Sequence, residues 1–221
     1  MLTLKNIHKF FVEDKEKTAI AALIDISIDF RMQKTSVIVG PSGCGKTTLI
    51  KVMAGLISPE EGDIFFHNQL ISIKDLRKRM SYVDQYSRIY PHLTVFDNIA
   101  FPLKNEGVFV DEIKNRVYEM AKQLDLSHLL SRNPKQLSGG QQQKVALAKA
   151  MIKLPEIILL DEPFSNLDLQ TRLELKKILM DIKQTFKTTI VMVTHQLDEV
   201  LEIADDIVYM DNGEIINIER G

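Results

Sequence analysis

Residues 40 to 48 read Gly-Pro-Ser-Gly-Cys-Gly-Lys-Thr-Thr, three glycines, one cation and three hydroxyls directly after the apolar run Thr35-Ser36-Val37-Ile38-Val39. The stretch fits G-x-x-x-x-G-K-[ST], in which glycines let successive backbone N–H groups turn inward on phosphate oxygens at a helix N-terminus. Lys46 is positioned in this pattern to reach β- and γ-phosphates, and the Thr47 hydroxyl to ligate Mg²⁺. A glycine turn that only caps a helix would need neither the lysine nor the hydroxyl. Cys44 reads as a small filler in the loop.

A second chemical pair lies at Asp161-Glu162, at the end of the apolar run Ile157-Ile158-Leu159-Leu160. Doubly wound sheets hold ligands at the carboxyl ends of their strands. Adjacent residues on a strand face opposite ways, so the two carboxylates are expected to take two roles. Asp161 suits the Mg²⁺ shell, and Glu162 suits a general base for an attacking water. The third feature, Leu137-Ser138-Gly139-Gly140-Gln141, begins an amphipathic helix with serine and glycines, a second N-terminus fit for an anion or for a simple cap. Two phosphate-binding termini beside one lysine and one carboxylate pair imply that the second serves a nucleotide held by another copy.

These residues need elements to position them. Leu2, Leu4 and Ile7 start a strand, and Ile24 to Phe30 alternates apolar with polar, the period of a half-buried strand; the charged run 13–17 between them reads as a solvated hairpin loop. Val37 to Val39 is a buried strand, Thr47 to Leu56 a helix, and 64–66, 71 and 80–83 further strand segments. From about 94 to 154 the spacing is helical throughout, stopped by Pro155. Strand character returns at 157–160 and 189–193, with helices over about 172–185 and 196–204 and a hairpin turning at Asp211-Asn212-Gly213. Apolar strands alternating with helices imply a mostly parallel sheet covered on both faces.

Composition sets the class. The chain has 221 residues, 45% hydrophobic and 26% charged, within the range of one domain carrying a subdomain. Twenty-eight basic and 30 acidic residues are well mixed for a net charge of −2, which gives no field favouring nucleic acid or an anionic bilayer. One cysteine excludes an intramolecular disulfide. No targeting pattern opens the chain and no apolar run approaches the ~20 residues of a membrane span, so the expected location is cytoplasmic.

The ordered set formed by 40–48, Gln85, 137–141, Ile157 to Pro163, Ser165-Asn166-Leu167-Asp168 and His195 resembles the ATP-binding subunit of an ABC transporter over almost the whole chain. The resemblance implies an α/β, RecA-like P-loop NTPase core with a mostly parallel sheet, an antiparallel β subdomain and an inserted helical subdomain. One ABC ATPase domain would span 1–221, with the core and β subdomain at 1–86 and 156–221 and the helical subdomain at 87–155. Gly40, Pro41, Ser42, Gly43, Cys44, Gly45, Lys46, Thr47 and Thr48 would form the Walker A loop around ATP. Gln85 would be the Q-loop glutamine and join Thr47 and Asp161 on Mg²⁺. Glu162 would be the catalytic base, His195 the switch histidine and Asp168 a D-loop residue.

The same resemblance implies two such domains, expected as a homodimer, facing head to tail. Ser138, Gly139, Gly140 and Gln141 of one would close on the γ-phosphate bound at Lys46 of the other. Further partners would be integral membrane transporter subunits, which hold the chain at the inner face of the membrane, and an extracytoplasmic solute-binding protein; no nucleic acid is expected. An aromatic for adenine is expected in the first strand pair, Phe11 or its neighbour Phe10. Tyr86, Ile89, Tyr90 and Leu93 either receive a membrane subunit's helix or pack within the subdomain. Gln196 stands where the family commonly has aspartate, and Lys144 and Lys149 where arginine is common. The region from Tyr90 to Val95 and the acidic pair Asp198-Glu199 are similar to importer ATPases for sugars, polyamines or amino acids. The competing reading is a soluble ABC-type ATPase acting on DNA or ribosomes.

Overall fold

The computed structural model describes residues 1–12, 19–85, 89–165 and 167–221. The charged run 13–17, Tyr86 and Asn166 lie outside the described residues. Two sheets organise the chain. The antiparallel one has the order β2-β1-β4-β5, with β1 (Leu2–Val12), β2 (Ala19–Phe30), β4 (Glu61–Phe66) and β5 (Gln69–Leu70). The larger one has the order β10-β9-β3-β8-β7-β6, with β3 (Thr35–Val39), β6 (Met80–Val83), β7 (Ile157–Asp161), β8 (Thr189–Thr194), β9 (Asp206–Asp211) and β10 (Glu214–Arg220). All its pairs are parallel except β9 with β10 at the edge.

The unbroken apolar runs follow from coverage on both faces. Val37, Val39, Ile158 and Leu160 enter a core shared with α3 (Val95–Asn105), α4 (Val110–Gln123) and α5 (Gly139–Met151). Ile38, Ile157 and Leu159, their strand neighbours, point the other way into a core shared with α1 (Lys46–Met53), α2 (Ile73–Arg79) and the antiparallel sheet. The hairpin from β9 to β10 turns as expected, with Asn212 and Gly213 both at positive φ, 46° and 82°. Among the described residues no helix is long and apolar enough to cross a membrane.

Two expectations change. The helix anticipated over 196–204 is a single 3₁₀ turn at Leu197–Glu199 followed by turns; it has no side-chain N-cap bond, and Glu199 is drawn into an ion pair with Arg172. The helix expected from about 172 begins earlier, as α6 (Leu169–Phe186), because the Asp168 carboxylate accepts the Thr171 backbone N–H at 3.0 Å and caps it.

At the opposite end of the sheet Asp205 joins three elements. Its carboxylate accepts from Lys183 Nζ of α6 at 2.8 Å, from the Thr35 N–H at 2.7 Å and from Lys34 Nζ at 3.1 Å. Burial alone would raise its pKa, but these donors together outweigh burial and hold the carboxyl at about 2 instead of 3.8. Since the folded value is the lower one, the resulting stability is present above pH ~4 and is lost as pH falls toward 2, the unfolded chain binding the proton first. Allowing for solvent screening of a partly exposed group, this is worth about 1 kcal/mol. Thermal melts between pH 6 and pH 2.5 should therefore show a steeper acid decline for the wild type than for Asp205→Asn, whose curve should run lower and flatter.

Candidate functional site

β3 ends at Val39 and the loop turns at once. A Cβ on Gly40 would lie 2.1 Å from the Met210 carbonyl oxygen, and one on Gly45, at φ 105°, 2.4 Å from that of Ala22. Only glycine admits both the close approach and the left-handed turn, after which α1 starts with Lys46 at its first position. Lys46 Nζ folds back over the loop and donates to the carbonyls of Gly40 and Pro41, each at 2.8 Å. The Cys44 side chain is buried in the core, as a filler would be.

The loop forms one wall of a cleft of about 440 Å³. Ser42, Gly43, Gly45, Lys46, Thr47 and Thr48 face Phe11, Gln85, Glu162 and His195 across it, with Ala22 at the side. Apart from Ala22 these are residues that the sequence motifs name, and they come from five separate parts of the chain. Ala22 was missed, having no chemical group to mark it. Phe11 lines the cleft and Phe10, the next residue along β1, is not among its lining.

Asp161 closes β7 beneath the loop and is 4% exposed. Thr47 Oγ1 donates to its Oδ1 at 3.1 Å and Tyr82 OH donates to its Oδ2 at 2.9 Å. Burial pushes its carboxyl up, and the hydrogen bonds from Tyr82 and Thr47 pull it only part of the way back. Thr47 and Gln85 line the cleft, and Asp161 stands behind Thr47, joined to it by that hydrogen bond; hydroxyl, amide and carboxylate oxygens are hard donors of the kind Mg²⁺ takes alongside phosphate. No cluster of three His, Cys, Asp or Glu side chains among the described residues could hold a metal without such added oxygens.

Glu162 reaches the cleft by a different device from strand alternation. It has left the strand, with φ at 49°, and its N–H donates to the Val193 carbonyl at 3.0 Å. That turn brings its carboxylate to His195, whose Nδ1–H donates to Oε1 at 2.9 Å and Oε2 at 3.0 Å. Gln196 Nε2 lies 3.1 Å from His195 Nε2. An amide N–H donated there leaves Nε2 as acceptor, which fits the tautomer that keeps its proton on Nδ1. An aspartate following the histidine could not donate in this way.

Ser138 and Gly140 stand elsewhere. Ser138 caps α5 in a reciprocal box: its Oγ accepts the Gln141 N–H at 3.3 Å, and Gln141 Oε1 accepts the Ser138 N–H at 3.0 Å. Ser138, Gly140 and Gln141 open a separate cleft of about 230 Å³ that shares no lining residue with the first. A Cβ on Gly140 would meet Thr171 Cγ2 at 2.3 Å, so the glycine lets α5 lie against the first turn of α6, which Asp168 caps. Lys144, on α5, pairs with Glu174 of α6 at 3.2 Å across the same contact. Tyr90 lies under Lys149 Nζ, 3.9 Å from the ring centroid, so this aromatic is engaged within the helical region.

Residues 23–165 match the family model described as ABC transporter. The sulfate/thiosulfate import ATP-binding protein CysA of Pectobacterium atrosepticum is 41% identical over 98% of this chain and 66% of its own length. The molybdate/tungstate import ATP-binding protein WtpC of Pyrococcus horikoshii is 39% identical over 99% of this chain and 61% of its own length. The chain thus spans slightly under two thirds of these relatives. The post-hydrolysis dimer of the ATP-binding cassette MJ0796, bound to ADP and Pi, superposes with a TM-score of 0.88 at 30% identity, covering 100% of this chain and 98% of that one. With sequence and fold in agreement over this span, the chain belongs to the ABC transporter family and is one of its ATP-binding domains.

Proposed function

We propose that this chain binds ATP with Mg²⁺, hydrolyses it as one half of a head-to-tail pair, and drives import of a solute through partner membrane subunits. The observation that carries the reading is convergence: Lys46, Thr47, Glu162 and His195 meet at one cleft, while Ser138 and Gly140 open another. A cleft complete in itself would need no second anion-binding terminus.

In this reading ATP lies along the loop from 40 to 48 with adenine against Phe11. Lys46 exchanges the carbonyls of Gly40 and Pro41 for the β- and γ-phosphates. Thr47, Asp161 and Gln85 would hold Mg²⁺, which supplies charge neutralisation on the phosphate oxygens. Glu162 takes a proton from water as the oxygen attacks the γ-phosphorus and ADP leaves; His195 keeps that carboxylate aimed. Ser138, Gly139, Gly140 and Gln141 of a second copy contact the γ-phosphate, so ATP bridges the pair and ADP does not. Asp168 acts at the joint between the copies, and residues 87–155 form the helical unit that moves with Gln85.

Import is favoured by the named roles of the relatives, which take up sulfate or thiosulfate and molybdate or tungstate. The chain is then held at the inner face of the membrane by its partners, with a solute-binding protein on the other side. Affinity purification from mildly solubilised native membranes is expected to recover integral membrane subunits in fixed ratio. Recovery of ribosomes or DNA in their place would overturn the transport reading in favour of a soluble ATPase.

A further inference from the structure

Tyr82 was read from sequence only as part of a short strand. In β6 it pairs in parallel register with Leu159 of β7, two residues before Asp161, so its side chain and that of Asp161 share one face of the sheet. Its hydroxyl reaches along that face to donate to Asp161 Oδ2 at 2.9 Å, while Thr47 holds Oδ1 at 3.1 Å. The two oxygens of a nearly fully buried carboxylate are therefore held from opposite sides, one by the loop helix and one by the edge strand. A carboxylate gripped at one oxygen can still swing about its last torsion; gripped at both, it presents a set direction.

The two grips are unequal in service. In the proposed function, on which this inference rests, the Thr47 oxygen turns to the cation, and its hold on Asp161 is shared with that task. Tyr82 lies on the far side, with its half-buried ring in the wall of a groove beside Leu56 and Ala54, and its hydroxyl donates to Oδ2. Groups that hydrogen-bond a metal's ligands commonly set affinity without touching the metal. We propose that Tyr82 is a positioning residue for the nucleotide's metal ion, acting through Asp161 by holding the carboxylate at the angle from which its other oxygen meets the cation. The ring contributes packing, and the hydroxyl contributes the orientation.

Tyr82→Phe separates these contributions, since it keeps the ring and deletes only the hydroxyl. The affinity for a ribose-labelled fluorescent ATP is measured with EDTA and with saturating Mg²⁺, on wild type and variant, with melting temperatures taken in parallel. The variant is expected to match the wild type within about twofold in EDTA and to lose about tenfold of the tightening that Mg²⁺ produces. A variant that keeps the full Mg²⁺-dependent tightening overturns the proposal while leaving the ATPase reading intact. A variant weakened equally in EDTA and in Mg²⁺ overturns it too, because that is the mark of lost packing. Absence of any Mg²⁺ effect in the wild type overturns the metal-site reading and this inference with it.

Discussion

Glu162→Gln is expected to bind ATP as the wild type does and to hydrolyse it about 10² to 10⁴ times more slowly, the usual range for loss of a general base. The substitution is nearly isosteric, and the geometry explains why it should spare binding. His195 Nδ1–H, now 2.9 Å from Oε1, can still donate to an amide oxygen, so the side chain keeps its place over the cleft. The backbone is held independently by the Glu162 N–H on the Val193 carbonyl. Lys46 and Thr47, which would take the phosphates, do not touch Glu162 in the described contacts. What is lost is the ability to accept the water's proton. ATP that is bound and not consumed should hold two copies together, so the variant should elute as a dimer with Mg²⁺-ATP and as a monomer with ADP. Phosphate release within threefold of wild type would remove Glu162 from the role of base.

The loop at 40–48 was legible because its chemistry is written in consecutive residues, and the strand before it because full burial demands an unbroken apolar run. The position of Glu162 was not. Sequence periodicity put it on the opposite face of the strand from Asp161, whereas it sits off the strand end at φ 49°. A non-glycine residue takes that conformation only when surrounding contacts enforce it, here the bond to Val193, which no local pattern encodes. The segment from 196 to 204 misled in the reverse sense: Leu197, Val200 and Ala204 have helical spacing, yet that spacing serves packing against the sheet core around one 3₁₀ turn. Tyr82 went unread because a tyrosine in a strand needs no explanation beyond β propensity. Its role depends on a partner 79 positions away.

The same limit applies to the second cleft, whose use depends on a chain that is not this one. Gly139 offers a way to test it without disturbing the fold. It is the first residue of α5, and a Cβ built on it meets nothing within 4 Å, unlike Gly140, whose Cβ would strike Thr171. In Gly139→Asp the new carboxylate therefore has room, and at a helix N-terminus it is tolerated or mildly stabilising to the monomer. It would also repel a phosphate carried there by another copy. This variant should bind ATP normally and fail to pair or turn over, whereas Lys46→Ala should fail to bind ATP at all. Mixed in equal amounts, the two inactive chains should recover activity, because a mixed pair has one cleft with Lys46 from the Gly139→Asp chain facing Gly139 from the Lys46→Ala chain. Since neither variant pairs with itself through ATP, every pair formed at saturating concentration is mixed, and with one of its two sites intact and sites that work singly about half of wild-type turnover is expected. Turnover no higher than that of either variant alone would argue that ATP is hydrolysed within one chain, and would leave the capped start of α5 as an ordinary helix end.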